Sequence, residues 1–323
     1  MRIVMMGTGT FAEPTFQALL DAGETVVGLV TQPDRDAGRV RGSTRQVGVG
    51  MAAIAAAHGV PVIQPESINT PDGVAALRAF APDLLVVAAY GQILKPDVIA
   101  TPTLGAINVH ASLLPKYRGA SPIAHAILNG ETVTGVTIIR ITLGLDAGDM
   151  LARIEVPIPP QTTTGVMEAT LGTLGATLCL AVIQQLKAGT AVGTKQDQSL
   201  VTRAPKFTKE MGAIDWARPA VRVVSHVYAM QPWPTAYTFL HRPGKPPLRL
   251  GVTEAEASPV SDGELSPGSA VAVGRSLRVA CGEGSVELHE VQPAGGKRMP
   301  AGDFLRGTPL PDGSRFGPEG TPP

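Results

Sequence analysis

The sequence runs Arg2-Ile-Val-Met-Met-Gly7 and continues directly as Thr8-Gly-Thr-Phe-Ala12. An apolar run of this kind is typical of a strand that is buried on both faces, and Gly7 and Gly9 suit a tight turn into a helix. Similar apolar runs recur at residues 25–31, 84–90, 106–110 and 135–142. Helical patterns are found at residues 11–22, 47–58 and 72–80. Strands that alternate with helices predict a parallel α/β sheet.

The second half of the chain has a different pattern. A long helix is predicted over Gly165–Ala188, with Gly189 as its end. Beyond it, short alternating segments separated by Gly, Pro and Ser turns predict a small β-barrel or sandwich. We therefore expect a first domain over residues 1–188, a linker over 189–207, a second domain over 208–307 and a disordered tail over 308–323.

The composition of the 323 residues is that of a globular protein, with 44% hydrophobic and 17% charged residues. The 27 basic residues balance the 27 acidic ones, which excludes a globally basic polyanion binder. Residues 187–250 nevertheless hold ten Lys and Arg against three acids. This basic region is either a solvated linker and domain edge or a surface for a phosphate backbone, and composition leaves both open.

The two cysteines, Cys179 and Cys281, form no CxxC motif, so neither structural zinc nor a disulfide framework is indicated. No ligand cluster at suitable spacing predicts a metal site. The apolar run before Gly7 is too short for a signal peptide, and no run of about 18 apolar residues predicts a membrane span. These features favour a cytoplasmic protein that does not contact a membrane.

Gly7, Gly9 and Ala12 match a GxGxxA variant of the dinucleotide-binding fingerprint. An NAD(P)-dependent oxidoreductase would place an acid at the end of the second strand to hold the ribose. Here that strand ends in Thr31-Gln-Pro, and Asp34 follows only beyond the proline. We therefore favour a tight turn without a dinucleotide and keep a Rossmann oxidoreductase as an alternative.

Asn108 and His110 lie two residues apart on a predicted strand and so share one face of it. They stand at its carboxyl end, where open α/β sheets bind ligands. Asp146 follows a later strand between Gly144 and Gly148, and it is either a turn former or a partner of His110. Asn, His and Asp without a nucleophilic Ser or Cys motif favour direct attack of an external nucleophile on a carbonyl.

The segments around these residues resemble the folate-dependent formyltransferases. The matching motifs are Asn108-Val-His110, Ser112-Leu-Leu-Pro115 with Arg118-Gly119, and Gly144-Leu-Asp146-Ala-Gly-Asp-Met150. Further segments at residues 31–39, 206–216, 231–234 and 291–306 resemble methionyl-tRNA formyltransferases in particular. The resemblance extends from Arg2 to about Gly307. It implies a Rossmann-like formyltransferase domain followed by a small OB-like β-barrel.

The resemblance also implies roles for individual residues. Asn108, His110 and Asp146 would form the catalytic set, and Ser112, Leu113, Leu114 and Pro115 would lie against tetrahydrofolate. The tRNA contacts expected from the family are Arg39, Lys206 and Lys209, with Arg41 and Arg45 in place of the lysines of the family. The loop departs from the family pattern over Val40–Gly48, which bears on the selection of initiator tRNA and not on the chemistry.

The implied reaction transfers a formyl group from 10-formyltetrahydrofolate to the α-amine of initiator methionyl-tRNA. In this hypothesis Asn108 and His110 stabilise the tetrahedral oxyanion, while Asp146 orients His110 and takes part in proton transfer. A monomer is expected. The alternatives are a formyltransferase for a small sugar or purine-precursor amine, the Rossmann oxidoreductase, and a tRNA-binding protein without activity.

Overall fold

The structure is a computed structural model that describes residues 1–33, 48–258 and 265–320. It divides into two compact units. The first unit comprises residues 1–123, 133–158 and 165–206, and the second comprises 124–132, 159–164 and 207–323. Each unit contains a hydrophobic core of its own.

The first unit is built on a seven-stranded sheet in the order β3-β2-β1-β4-β5-β7-β8. The strands of this sheet are β1 Ile3–Gly7, β2 Val26–Val30, β3 Val62–Ile63, β4 Leu84–Ala88, β5 Ala106–His110, β7 Val133–Arg140 and β8 Met150–Pro157. Two further strands, β6 Arg118–Gly119 and β9 Arg203–Ala204, form a separate two-stranded sheet. The helices of the first unit are α1 Glu13–Asp21, α2 Met51–Ala57, α3 Pro71–Ala79, α4 Pro96–Ile99 and α6 Thr164–Ala188. Most of α5 Pro122–Leu128 is assigned to the second unit.

The order of the first five strands confirms the predicted Rossmann-like α/β fold. These strands are parallel, as expected. The last two are not, because β7 runs antiparallel to β5 and β8 antiparallel to β7. A short loop over residues 141–149 joins β7 to β8, and such a short connection is possible only between antiparallel neighbours.

The glycine turn after β1 is explained by packing. A Cβ at Gly7 would lie 2.7 Å from the Cβ of Ala12 and 3.0 Å from the carbonyl oxygen of Ala88. Only glycine therefore allows the start of α1 and the end of β4 to approach this closely. The backbone N–H of Gln32 donates to the Thr8 hydroxyl at 3.2 Å, so polar neutral groups lie where the fingerprint would require a ribose-binding acid.

Helix α6 begins at Thr164, one residue before the predicted start, and ends before Gly189, which has a φ of +69°. It lies against β5 where Gly175 meets Val109. Among the described residues, it is the one helix that is long and apolar enough to cross a membrane by length and composition alone. Its most apolar window has a mean hydropathy of 1.8 and is 50% buried. Buried core helices of soluble proteins share these properties.

The segment predicted as a linker, residues 189–207, belongs to the first unit as far as Lys206. It contains a short 3₁₀ turn over Gln198–Leu200 and strand β9, which pairs in parallel with β6. Gln196 in this segment is buried. Two-residue strands and a single buried polar side chain leave no periodic pattern in the sequence. The sequence therefore does not indicate that this segment belongs to the first unit.

The second unit is a nearly closed antiparallel barrel, in the strand order β12-β13-β14-β11-β10-β16 with β15 on β14. A bridge between Ser269 and Arg315 joins the two ends of this order. The predicted β-barrel is therefore confirmed. Its elements are α7 Ala220–Ala229, β10 Ala236–His241, β11 Leu248–Ser258, β12 Ala270–Val273, β13 Ser276–Ala280, β14 Ser285–Pro293, β15 Met299–Pro300, α8 Ala301–Gly307 and β16 Arg315–Gly317.

The prediction of a disordered tail over residues 308–323 is wrong for β16. This strand pairs with β10, and Phe316 at its centre is buried against Trp216 with 5.9 Å between ring centroids. One buried aromatic side chain holds the segment in place, although the surrounding prolines and glycines suggest disorder.

Candidate active site

Three polar side chains meet at the carboxyl edge of the first unit's sheet. Asn108 and His110 project from the same face of β5, and Asp146 lies in the loop between β7 and β8. The Asn108 amide donates to Asp146 Oδ1 at 3.5 Å, and His110 Nδ1 lies 3.8 Å from Asp146 Oδ2. The side chains of His110 and Asp146 are only 5% and 12% exposed. The structure therefore brings together the three residues that the sequence singles out as catalytic.

The imidazole of His110 is oriented by a backbone carbonyl. Its Nε2 lies 3.0 Å from the carbonyl oxygen of Tyr117. A carbonyl oxygen only accepts, so Nε2 carries a proton and donates it. The other nitrogen, Nδ1, faces the carboxylate of Asp146 across a distance longer than a hydrogen bond. Neutral His110 therefore presents a lone pair at Nδ1, and protonated His110 presents an N–H there.

The loop that carries Asp146 is held in an uncommon conformation. Asp146 has a φ of +48°, in the left-handed region that most side chains avoid. A Cβ at Gly148 would overlap the carbonyl oxygen of Arg140, so glycine is required at that position. The backbone N–H of Gly119 donates to Asp146 Oδ2 at 2.8 Å. This bond directs the carboxylate toward Asn108 and His110.

The segment that follows His110 is held in place by hydrogen bonds to Thr202, which lies in the predicted linker. The Thr202 hydroxyl accepts the backbone N–H of Tyr117 at 2.8 Å, and the Thr202 carbonyl accepts that of Arg118 at 3.0 Å. Tyr117 has a φ of +64°, and these bonds hold its peptide in that conformation. They thereby place the Tyr117 carbonyl that orients His110.

The four residues expected to lie against the folate differ in their exposure. Ser112 is fully buried and its hydroxyl donates to the Lys116 carbonyl at 2.7 Å, and Leu114 is buried as well. Leu113 and Pro115 keep part of their surface accessible. The two accessible side chains can offer apolar surface to a ligand, whereas Ser112 and Leu114 shape the loop from within.

Arg118 is a buried cation behind Asp146. Burial lowers the pKa of Arg118, the nearby charge of Arg203 lowers it further, and the carboxylate of Asp146 raises it. An arginine begins from so high a pKa that it stays charged near neutral pH. Its guanidinium donates to the side chain of Gln196, at 3.1 Å from Nε and 2.7 Å from Nη2. Neither Gln196 nor Thr202 was singled out by sequence reasoning, because both stand in a polar stretch without periodicity.

Two of the five residues expected to contact tRNA lie among the described residues. Lys206 and Lys209 are exposed. Arg39, Arg41 and Arg45 lie outside the described residues, as does most of the unusual stretch Val40–Gly48. Within residues 1–33, 48–258 and 265–320, no group of three or more His, Cys, Asp or Glu side chains could hold a metal ion.

Comparison with known proteins identifies the family. The formyl transferase family model matches residues 1–183, and the model for the formyl transferase C-terminal domain matches residues 206–309. The chain is 43% identical to the methionyl-tRNA formyltransferase of Geotalea uraniireducens over 98% of both chains. It is 44% identical to that of Solibacter usitatus, over 98% of this chain and 99% of the relative. The chain belongs to the methionyl-tRNA formyltransferase family.

Solved structures share the fold of this formyltransferase at much lower identity. An N-formyltransferase from Helicobacter canadensis, in complex with folinic acid and dTDP-3-aminofucose, is 15% identical with a TM-score of 0.63. The match covers 88% of this chain and 98% of the Helicobacter protein. HypX from Aquifex aeolicus, in complex with tetrahydrofolic acid, is 18% identical with a TM-score of 0.58, over 94% of this chain and 47% of HypX. The resemblance inferred from the motifs is thus confirmed, and the chain is a formyl group transferase of a family that uses folate-derived donors.

Proposed function

We propose that this formyltransferase transfers the formyl group of 10-formyltetrahydrofolate to the α-amino group of initiator methionyl-tRNA. The products are N-formylmethionyl-tRNA, used in translation initiation, and tetrahydrofolate. The observation that carries the proposal is the meeting of Asn108, His110 and Asp146 at the sheet edge, in a chain similar over nearly its full length to methionyl-tRNA formyltransferases.

In the proposed reaction, the neutral α-amine attacks the formyl carbon. The new C–N bond forms as the carbonyl electrons move to oxygen, and the tetrahedral intermediate then expels N10 of the folate. The amine loses one proton and N10 gains one, so no other reactant is consumed. The work left to the protein is to stabilise the oxyanion and to move this proton.

The geometry suits both tasks. The Asn108 amide, and His110 when protonated at Nδ1, supply N–H donors for the oxyanion. A preorganised donor of this kind is worth about 3 kcal/mol in the transition state. His110 Nδ1 and Asp146 Oδ2, 3.8 Å apart, are close enough to exchange a proton after a small movement of either side chain. The Tyr117 carbonyl holds Nε2 throughout and keeps Nδ1 turned toward the reaction.

For the donor, we propose that the folate lies along Ser112–Pro115, with Leu113 and Pro115 supplying the accessible apolar contacts. For the acceptor, we propose that Arg39, Arg41, Arg45, Lys206 and Lys209 contact phosphates, with the barrel as the tRNA-binding part of the chain. The protein would act as a monomer in the cytoplasm, without metal and without a membrane.

A formyl-transfer assay with a panel of acceptors tests this proposal. 10-Formyltetrahydrofolate is supplied with initiator methionyl-tRNA, elongator methionyl-tRNA or a dTDP-linked aminosugar. Transfer to the initiator alone is the expected result. Transfer to both tRNAs would support the proposed reaction and would indicate that the stretch Val40–Gly48 selects initiator tRNA only weakly. Transfer to the aminosugar without transfer to tRNA would overturn the proposal in favour of a small-amine formyltransferase.

A further inference from the structure

Gln196 links two parts of the active site, although it contributes no group to the reaction itself. Its side chain is 6% exposed, in the segment between α6 and β9. The amide nitrogen donates to the carbonyl oxygens of Asp146 and Gly148, both at 2.8 Å. The amide oxygen accepts two N–H groups from the buried guanidinium of Arg118. Both N–H donors and both acceptor sites of the side-chain amide are thereby committed to these neighbours.

The orientation of this amide is dictated by its neighbours. The guanidinium only donates and the two carbonyls only accept, so the oxygen must face Arg118 and the nitrogen must face the loop of Asp146. A positive charge beside the amide oxygen also polarises the amide and strengthens its N–H donors. The buried cation therefore tightens the hold of Gln196 on the loop.

These contacts enclose Asp146 from two sides. Gln196 bonds the main chain of Asp146, whose φ of +48° needs such support. Arg118 directly precedes Gly119, whose N–H bonds the carboxylate of Asp146. Gln196 thus ties the backbone of Asp146 to the same strand, β6, that orients its side chain.

We propose that Gln196 is a positioning residue, which sets the direction of the Asp146 carboxylate toward His110 and contacts neither substrate. The proposal rests on the proposed function, because it assigns Asp146 a part in formyl transfer. A purely structural role would instead make Gln196 a stabilising contact that could be lost without any specific effect on the chemical step.

Two near-isosteric substitutions separate these roles. Gln196→Met removes both sets of hydrogen bonds. Gln196→Glu keeps an acceptor toward Arg118 but replaces the two N–H donors by oxygen, which faces the carbonyls of Asp146 and Gly148. Small misplacements of a catalytic group cost up to about 100-fold in rate, so we expect kcat to fall by about 10- to 100-fold in both variants. The KM values for folate and tRNA should change by less than about threefold.

Gln198→Ala is the matched control. Gln198 is an exposed glutamine that also accepts from Arg118, at a marginal 3.5 Å, and its amide bonds the Gln196 carbonyl instead of the Asp146 loop. We expect its kcat to stay within about twofold of the unchanged enzyme. Equal losses for Gln198→Ala and Gln196→Glu would show that the hydrogen bonds from Gln196 to the loop of Asp146 have no specific effect on the reaction and would overturn the proposal.

The decisive test repeats the Gln196→Glu substitution in an Asp146→Ala background, with single-turnover kinetics at high enzyme concentration. If Gln196 acts through the carboxylate, the second substitution should change the residual rate by less than about threefold. The same fold-loss in both backgrounds, or an unchanged kcat for Gln196→Glu alone, would overturn the proposal. If the unchanged enzyme formylates another amine, the proposed function fails and the same comparison is made with that acceptor.

Discussion

The two units each contain a buried glutamine whose amide nitrogen bonds two backbone carbonyls. In the first unit, Gln196 bonds the carbonyls of Asp146 and Gly148. In the second, Gln231 bonds those of Val227 and Thr253, at 3.1 and 2.7 Å, and so ties α7 to β11. The two side chains are almost equally buried, at 6% and 8% exposure. The same contact therefore supports the loop of Asp146 in one unit and the packing of α7 against β11 in the other, and its effect depends on the role of the residues whose carbonyls it bonds.

The two units also differ in their buried histidines. His110 in the first unit has a backbone carbonyl at one ring nitrogen and a carboxylate near the other. His226 in the second unit lies on α7, and its Nε2 is buried without a hydrogen-bond partner among the described residues. A histidine with polar groups on both sides can exchange a proton during a reaction, whereas one packed in a core is held neutral.

The largest expected effect is on His110. His110→Ala should lower kcat by about 1000-fold, because a donor to the oxyanion and a proton-transfer group are lost together. Binding of initiator methionyl-tRNA, measured by filter retention, should change by less than about threefold. A parallel loss of binding and turnover would show that His110 supports the structure of the unit and does not take part in the reaction.

The second effect concerns the pH dependence of stability in the barrel. Burial and, to a smaller degree, the charge of Arg218 lower the pKa of His226 from 6.5 to about 4, against opposing contributions from the backbone of Gly212 and Met211 and from Asp215. Between these pH values the unfolded chain binds a proton that the native chain does not. The stability that comes from burying neutral His226 is therefore fully present above about pH 6.5. The free energy of unfolding falls, by at most about 3 kcal/mol, as the pH drops to 4.

Thermal unfolding of His226→Phe as a function of pH checks this expectation. The variant should lose the part of the pH slope between 6.5 and 4 that the unchanged protein shows. Replacement of His241, which is also buried in the barrel but donates from Nε2 to the Pro318 carbonyl at 2.8 Å, is the matched control. An identical slope in His226→Phe and the unchanged protein would contradict the assignment.

The third effect sharpens the comparison of the two glutamines. Gln231→Met leaves the carbonyls of Val227 and Thr253 buried without their donor, and it should lower the free energy of unfolding by about 2 kcal/mol. Its kcat should remain within about twofold, whereas Gln196→Met should lower kcat more than stability. Chemical denaturation and steady-state kinetics on the same preparations measure both quantities. A loss of activity in Gln231→Met at temperatures where it is fully folded would break the comparison.

The smallest effect is on binding. Lys206 and Lys209 are exposed, so their replacement by alanine should not alter the fold. If each contacts a phosphate, the double variant should bind initiator tRNA several-fold more weakly, and the slope of log affinity against log salt should decrease by about 1 to 2. The value of kcat at saturating tRNA should not change. A salt slope equal to that of the unchanged protein would remove both lysines from the tRNA surface.

Much of the fold follows from local patterns in the sequence. Strands β1 and β4 are fully buried, and their continuous apolar runs can therefore be recognised in the sequence. The two-residue period of a strand places Asn108 and His110 on one face of β5. Strand β8 lacks such a run because it lies at the sheet edge, where Arg153 and Glu155 face solvent. The loop of Asp146 leads into β8, so its position depends on that strand. A prediction that relies on buried apolar runs therefore does not find the antiparallel edge of the sheet.

The parts of the site that sequence reasoning missed are held by long-range contacts of single side chains. Gln196 lies 50 residues from Asp146 along the chain, and Thr202 lies 85 residues from Tyr117. Each is one polar residue in a polar segment, and its importance comes from hydrogen bonds that only the folded chain reveals. The motifs around Asn108, His110 and Asp146 identify the groups that we propose to act in the reaction, whereas the residues that orient them carry no local pattern.

The most direct test of the account is the single-turnover rate of formyl transfer to initiator methionyl-tRNA by Asp146→Ala, measured beside tRNA binding by the same variant. The account predicts that the rate falls by about 1000-fold while the affinity for tRNA changes by less than about threefold. A variant that transfers the formyl group at nearly the rate of the unchanged enzyme would contradict the account, because the reaction would not depend on the carboxylate around which this site is built.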